Sequence, residues 1–283
     1  MWIAAVRGLQ GDRPVLIDEN RGLAFCDELD ANFHGDAMAL LDDDVYRGLV
    51  TRAAAAGDEV FHPADSAPFT APYRSPRKIW GIGLNYRDHA SDLSESVPEE
   101  PASFIKADHT IIGPGDTILL PEQSKRVTAE AEIGLVIGRY CRNVPEDGAL
   151  DYVWGVCPIL DQTAEDILQR NPRFLTRSKN FPTFFSFGPA IVPMRELRQR
   201  FGVIGDITVS TVKNGAELRT NTVARMTFGP AALVSFHSKV MPLFPGDIIS
   251  TGTPGAVVLD DGDTVECRIP GIGSLINDVR RDR

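Results

Sequence analysis

The chain has 283 residues, 43% hydrophobic and 24% charged, which is ordinary globular composition for one large domain or a main domain with an appendage. A net charge of −10 speaks against nucleic acid or a membrane surface as partner, because both select a basic face. No apolar run approaches the roughly 18 residues of a membrane span, and the start MWIAAVRGLQGDR lacks a signal-peptide pattern.

In chain order, WIAAVRG, RPVLIDE and RGLAFCDE read as short strands between polar turns. Residues 36–56 place Met38, Leu41, Val45 and Leu49 at helical spacing, with Gly57 as a stop. HPADSAPFTAPYRSPRK, residues 62–78, is rich in proline and serine and predicts little regular structure. The expected organisation is therefore a small α+β unit over residues 1–74 and a β-rich main domain over 75–283. Within the latter, IWGIGLNY, ASFIK, TILL, AEAEIGLVIG and VWGVCPIL are strand-like. Asn214-Gly215 between DITVSTV and ELRTNTV signals a hairpin. Residues 229–240 read as one amphipathic helix, followed by the strands GDIIST and DTVECRI. Cys26, Cys141, Cys157 and Cys267 form no C-x-x-C, so reduced thiols and a cytoplasmic location are expected.

Several chemistries have no motif here. G-x-S-x-G, H-E-x-x-H and G-x-x-x-x-G-K-[ST] are missing, and Tyr86 stands where a dinucleotide fingerprint needs its third glycine. Five scattered histidines do not suggest a histidine-rich zinc site. What remains is oxygen ligation. Glu130 and Glu132 head the apolar run VTAEAEIGLVIG, and a strand turns residues two apart to one face. Two buried carboxylates side by side repel unless a cation sits between them; alternatively both face water. Asp161 follows about thirty residues later at the end of VWGVCPIL. It is either a third carboxylate for an octahedral Mg²⁺ or Mn²⁺ or a cap for the turn DQTAED.

Seven blocks occur in one order: KIWGIGLNYRDHASD, PASFIKADHTIIGPGDTILLP, VTAEAEIGLVIG, SKNFPTFFSFGPAIV, NGAELRTNT, PGDIISTGTPG and IPGIGSLIN. Together they resemble the fumarylacetoacetate hydrolase family. The resemblance implies a mixed α/β, mainly β fold, a β-sandwich roll with the small N-terminal unit beside it, assembled as a homodimer. It also implies Mg²⁺ or Mn²⁺ as cofactor and a small ketoacid or diketone as substrate. Position by position, Glu130, Glu132 and Asp161 fall on the family's metal ligands, and Lys179 on its active-site lysine. His89 and Asp92 fall on a water-activating pair, with aspartate where glutamate is usual. Tyr86, Thr183 and Thr253 fall on positions lining the ligand site.

The stretch LDQTAEDILQ departs from the family's pattern, with Glu165 in place of an arginine and Leu168 in place of a glutamine. These changes lead to the expectation of a wall that repels a second substrate carboxylate and favours an apolar tail. The expected reaction is metal-dependent hydrolysis of a C–C bond beside a ketone, in a 1,3-dicarbonyl or acylpyruvate-like substrate other than fumarylacetoacetate. The alternatives are a ketoacid decarboxylase, an isomerase or tautomerase using the same metal–enolate chemistry, and a catalytically silent relative that binds a ketoacid.

Overall fold

The structure is a computed structural model that describes residues 1–86 and 98–282. Two sheets dominate it. The larger has 13 strands, and its main path runs Gly22–Phe25, Gly11–Asp18, Trp2–Gly8, Ala190–Pro193, Val153–Ala164, Val127–Ile137, Ile248–Ser250, Ile79–Gly83, Ala102–Lys106. The smaller has five: Ala216–Thr222, Thr208–Lys213, Thr264–Ile269, Gly273–Arg281 and Thr117–Leu120. Its hairpin turns at Asn214 and Gly215, both with positive φ (51° and 81°), as the Asn-Gly pair predicts.

The centre of the large sheet is the antiparallel pair Val127–Ile137 and Val153–Ala164, in register from Gly155↔Val136 to Ala164↔Val127. Alternation along this pair serves two cores. Ala129, Ala131, Ile133, Leu135, Val156 and Leu160 face the smaller sheet and pack with Val209, Val265, Leu275 and Val279. Val136, Cys157 and Ile159 face the other way, under Ile3, Leu16, Leu40 and Tyr46. Burial of these side chains, at about 25 cal/mol per Å² of apolar surface, holds the layers together. The N-terminal segment is thus sewn into the main sheet, with Ile3↔Ile191 and Ala4↔Ala190 as the seam.

The helical pattern over 36–56 splits. A 3₁₀ turn, Ala37–Leu41, precedes the helix Asp43–Ala55, because the carboxylate of Asp42 accepts the N–H groups of Asp44 and Val45 and starts a new helix there. The helix expected over 229–240 is present as Pro230–Val240. Among the described residues, no helix is long and apolar enough to cross a membrane.

Candidate metal and enolate site

On the face shared by Val136 and Ile159, the strand continues beyond the cover of the N-terminal segment and becomes acidic. Glu132 lies opposite Ile159, and Glu130 lies opposite Asp161. The strand does not end at Asp161 but runs on to Ala164, so Asp161 is a ladder residue and not a turn cap. One carboxylate oxygen from each of Glu130, Glu132 and Asp161 lies within 4.8 Å of the others. Glu132 and Asp161 are buried, and Glu130 is half-buried.

Each carboxylate is held by named donors. Glu132 Oε2 accepts from the Ser250 hydroxyl at 2.6 Å and from the main-chain N–H of Gly252 at 2.7 Å. Gly252 has φ +97°, and a Cβ there would lie 2.7 Å from Asn85 Cβ, so only glycine brings this N–H to Glu132. Asn85 fixes the same corner, donating to the carbonyls of Thr251 (2.7 Å) and Phe228 (3.0 Å). Glu130 Oε1 accepts from Thr163 Oγ1 at 2.8 Å, and its Oε2 from Lys179 Nζ at 3.0 Å. Asp161 binds two lysines: Lys106 Nζ at 2.5 Å on Oδ1 and Lys179 Nζ at 2.7 Å on Oδ2.

Lys179 ends the short helix Leu175–Lys179 and rests 4.6 Å from the Phe104 ring centroid. Lys106 comes from the strand Ala102–Lys106, on the same face as Phe104, and also donates to the carbonyl of Gln162 at 3.2 Å. Lys106 is not among the residues that motif or family resemblance singles out. Its signal was present: in ASFIK, Phe104 and Lys106 are two residues apart, and an inward phenylalanine turns the lysine inward too.

The electrostatics show a shortage of positive charge. Burial pushes the Glu132 carboxyl up to about 8, and the charges of Asp161 and Glu130 add to this. Burial pulls the Lys106 ammonium down to about 8, with Asp161 opposing. Burial also acts to lower Lys179, but Asp161 and Glu130 together hold it above the ordinary lysine value. Three oxygen-donor carboxylates with only two ammonium groups among them suit one hard divalent cation such as Mg²⁺ or Mn²⁺.

The remaining expected residues divide. Tyr86 is fully buried, and its hydroxyl has no hydrogen-bond partner among the described residues. Burial first, and then the neighbouring Glu132, push the phenol far above its ordinary value. Thr253 is buried, and its hydroxyl closes its own turn with the N–H and carbonyl of Gly255, each at 3.2 Å. Thr183, in a left-handed conformation (φ 69°), accepts the N–H of Leu119 at 2.9 Å. Its hydroxyl serves the strand Thr117–Leu120. Leu168 is half-buried on the helix Glu165–Arg170. Glu165 starts that helix, paired with Arg126 Nε and accepting from Gln169 Nε2 at 3.2 Å. Its charge is thus matched by Arg126, which weakens the repulsion of a second substrate carboxylate expected from an unpaired glutamate. His89 and Asp92 lie outside the described residues.

Known proteins resemble the chain in sequence and in fold. The mitochondrial oxaloacetate tautomerase of Rattus norvegicus is 33% identical over 238 residues, covering 81% of this chain and 75% of its own. A 5-carboxymethyl-2-hydroxymuconate delta-isomerase from Mycobacterium smegmatis superposes with a TM-score of 0.78 at 29% identity over the whole of both chains. The fold also matches a maleylpyruvate hydrolase from Sphingobium sp. SYK-6, solved with manganese(II) and pyruvate, at TM-score 0.81 and 24% identity over all of both chains. Residues 78–280 match the C-terminal domain of fumarylacetoacetate (FAA) hydrolase. With that domain spanning most of its length, and Glu130, Glu132 and Asp161 converging inside it, the chain belongs to the fumarylacetoacetate hydrolase family.

Proposed function

We propose that the chain is a divalent-metal-dependent enzyme that interconverts the keto and enol forms of a small 2-ketoacid. The observation that carries this reading is the convergence of three carboxylates whose oxygens lie within 4.8 Å of one another, with two buried lysines bonded to them. Glu130, Glu132 and Asp161 would hold Mg²⁺ or Mn²⁺, which supplies Lewis-acid polarisation of the substrate's oxygens when bound. Lys179, kept charged by its two carboxylates, would donate to the oxygen that gains negative charge as the enolate forms. The Tyr86 hydroxyl, buried beside Glu132 and without a partner among the described residues, would take up a hydrogen bond with a substrate oxygen. Ser250, Gly252 and Thr163 keep the carboxylates fixed through the reaction. Two of the relatives above one-quarter identity are named for a tautomerisation and an isomerisation, which supports enolisation without water attack.

A second reading is hydrolysis of a C–C bond beside a ketone in a 1,3-dicarbonyl or acylpyruvate-like acid. It is favoured by the pattern NYRDHASD, in which His89 and Asp92 would activate water. Both readings share the metal, the lysines and a homodimeric assembly. The test uses EDTA-stripped protein with and without Mn²⁺, in D₂O, with oxaloacetate and a panel of acylpyruvates. Proton NMR reads exchange at the carbon next to the ketone and the appearance of cleavage products. Metal-dependent exchange without cleavage supports the first reading, and metal-dependent cleavage the second. Neither activity on any substrate would sink both.

A further inference from the structure

The two lysines on Asp161 are not equivalent. Lys179 bridges two of the three carboxylates and so stands among the oxygens a cation would take. Lys106 binds the opposite oxygen of Asp161, and its second bond goes to a main-chain carbonyl. Its strand pairs with Ile79–Gly83 from Gly83↔Ala102 to Ile79↔Lys106, and the residue is only 1% exposed. Its amine is therefore held in one place, with one hydrogen-bonded anion. With all three carboxylates ionised and both lysines protonated the five side chains sum to −1, which becomes +1 with a divalent ion; without Lys106 that loaded centre would be neutral.

We infer that Lys106 is a positioning residue whose ammonium, held on Asp161 Oδ1 opposite the oxygen that Lys179 binds, loosens the grip on the divalent cation and leaves the loaded centre positive, so that it draws in an anionic substrate. The inference rests on the metal-site reading above and adds a role to a residue outside the ligand set. Like charges sharing one carboxylate in a buried site repel strongly even at an effective dielectric near 20. A lysine with a purely structural role would act in the opposite sense, since its loss would disorder Asp161 and weaken metal binding.

The test is calorimetric titration of Mn²⁺ into the EDTA-stripped full chain, wild type against Lys106→Met. The variant should bind Mn²⁺ about tenfold tighter or more, and with a 2-ketoacid as substrate its KM should rise more than its kcat falls. If Lys106→Met does not fold, Lys106→Gln, which keeps a donor but not the charge, must show the same tightening. Equal or weaker Mn²⁺ binding by the folded variant, with wild type binding normally, overturns this inference alone. No Mn²⁺ uptake by wild type overturns it together with the metal-site reading.

Discussion

Gly134 lies two residues from Glu132 on the same strand, and replacing it with alanine tests how tightly the site is built on the sheet beneath it. A Cβ at Gly134 would lie 2.3 Å from Ile159 Cδ1, 3.0 Å from its Cγ1 and 3.1 Å from Cys157 Sγ. Comfortable carbon–carbon contact begins near about 3.5 Å, so Ile159 must retreat by about 1 Å. Ile159 is fully buried and sits opposite Glu132, so it has no solvent to move into. Overpacking of this kind costs about 1–3 kcal/mol, and we expect about 2 kcal/mol for Gly134→Ala in urea unfolding followed by circular dichroism. Ile159→Val removes the offending Cδ1 and by itself should cost about 1 kcal/mol. The double variant should be more stable than the sum of the singles by about 1 kcal/mol, a coupling that a double-mutant cycle resolves. Gly134→Ala should also weaken Mn²⁺ binding, because Ile159 and Glu132 are cross-strand neighbours. Additive energies with unchanged Mn²⁺ affinity would refute the link between this packing and the site.

Other perturbations have equally definite outcomes. Asp161→Asn leaves Lys106 without its hydrogen-bonded carboxylate; metal-free protein should lose about 3–5 kcal/mol in urea, and wild-type stability would contradict the pairing seen at 2.5 and 2.7 Å. Tyr86→Phe removes a buried hydroxyl that has no partner among the described residues, so stability should hold or rise while kcat/KM drops by about tenfold or more; unchanged kinetics would remove Tyr86 from the site. At Asp263, burial raises the carboxyl, but bonds from Lys213, Asn214 and the Asp260 N–H outweigh it and hold the group below its ordinary value of 3.8. A depressed carboxylate contributes stability that is present above that value and lost as pH falls through the folded one, so Asp263→Asn should flatten the acid limb of a stability–pH curve. An acid limb identical to wild type would refute this.

How far the sequence alone reached depended on whether a signal was local. The E-x-E pair was legible because period-two alternation turns Glu130 and Glu132 to one face of an otherwise apolar strand. Asp161 was legible as an acid near the end of a second such strand. Its standing directly opposite Glu130 is a matter of register, which no single strand encodes. Lys179 was found only through family resemblance, since R-S-K-N has no local property that separates a buried lysine from a solvated one. Lys106 was missed because its inward direction follows from Phe104 two residues before, and a lysine on a short strand reads as surface until that neighbour is weighed. The pairing of Glu165 is not legible in the sequence, because its partner, Arg126, lies 39 positions away and meets it only where the two central strands end side by side. Met38 and Val45 were read as one helix because periodicity does not register a restart, although Asp42 between them is a strong capping residue.

The central claim is that Glu130, Glu132 and Asp161 hold one catalytic divalent cation within reach of Lys179. It is tested most directly by crystals grown with Mn²⁺ and a non-reactive 2-ketoacid analogue, with diffraction data collected at the manganese absorption edge. The account predicts one strong anomalous peak per chain, bounded by the three carboxylates, with Lys179 donating to the bound analogue. A peak at other residues, or none at this triad under saturating Mn²⁺, would contradict it.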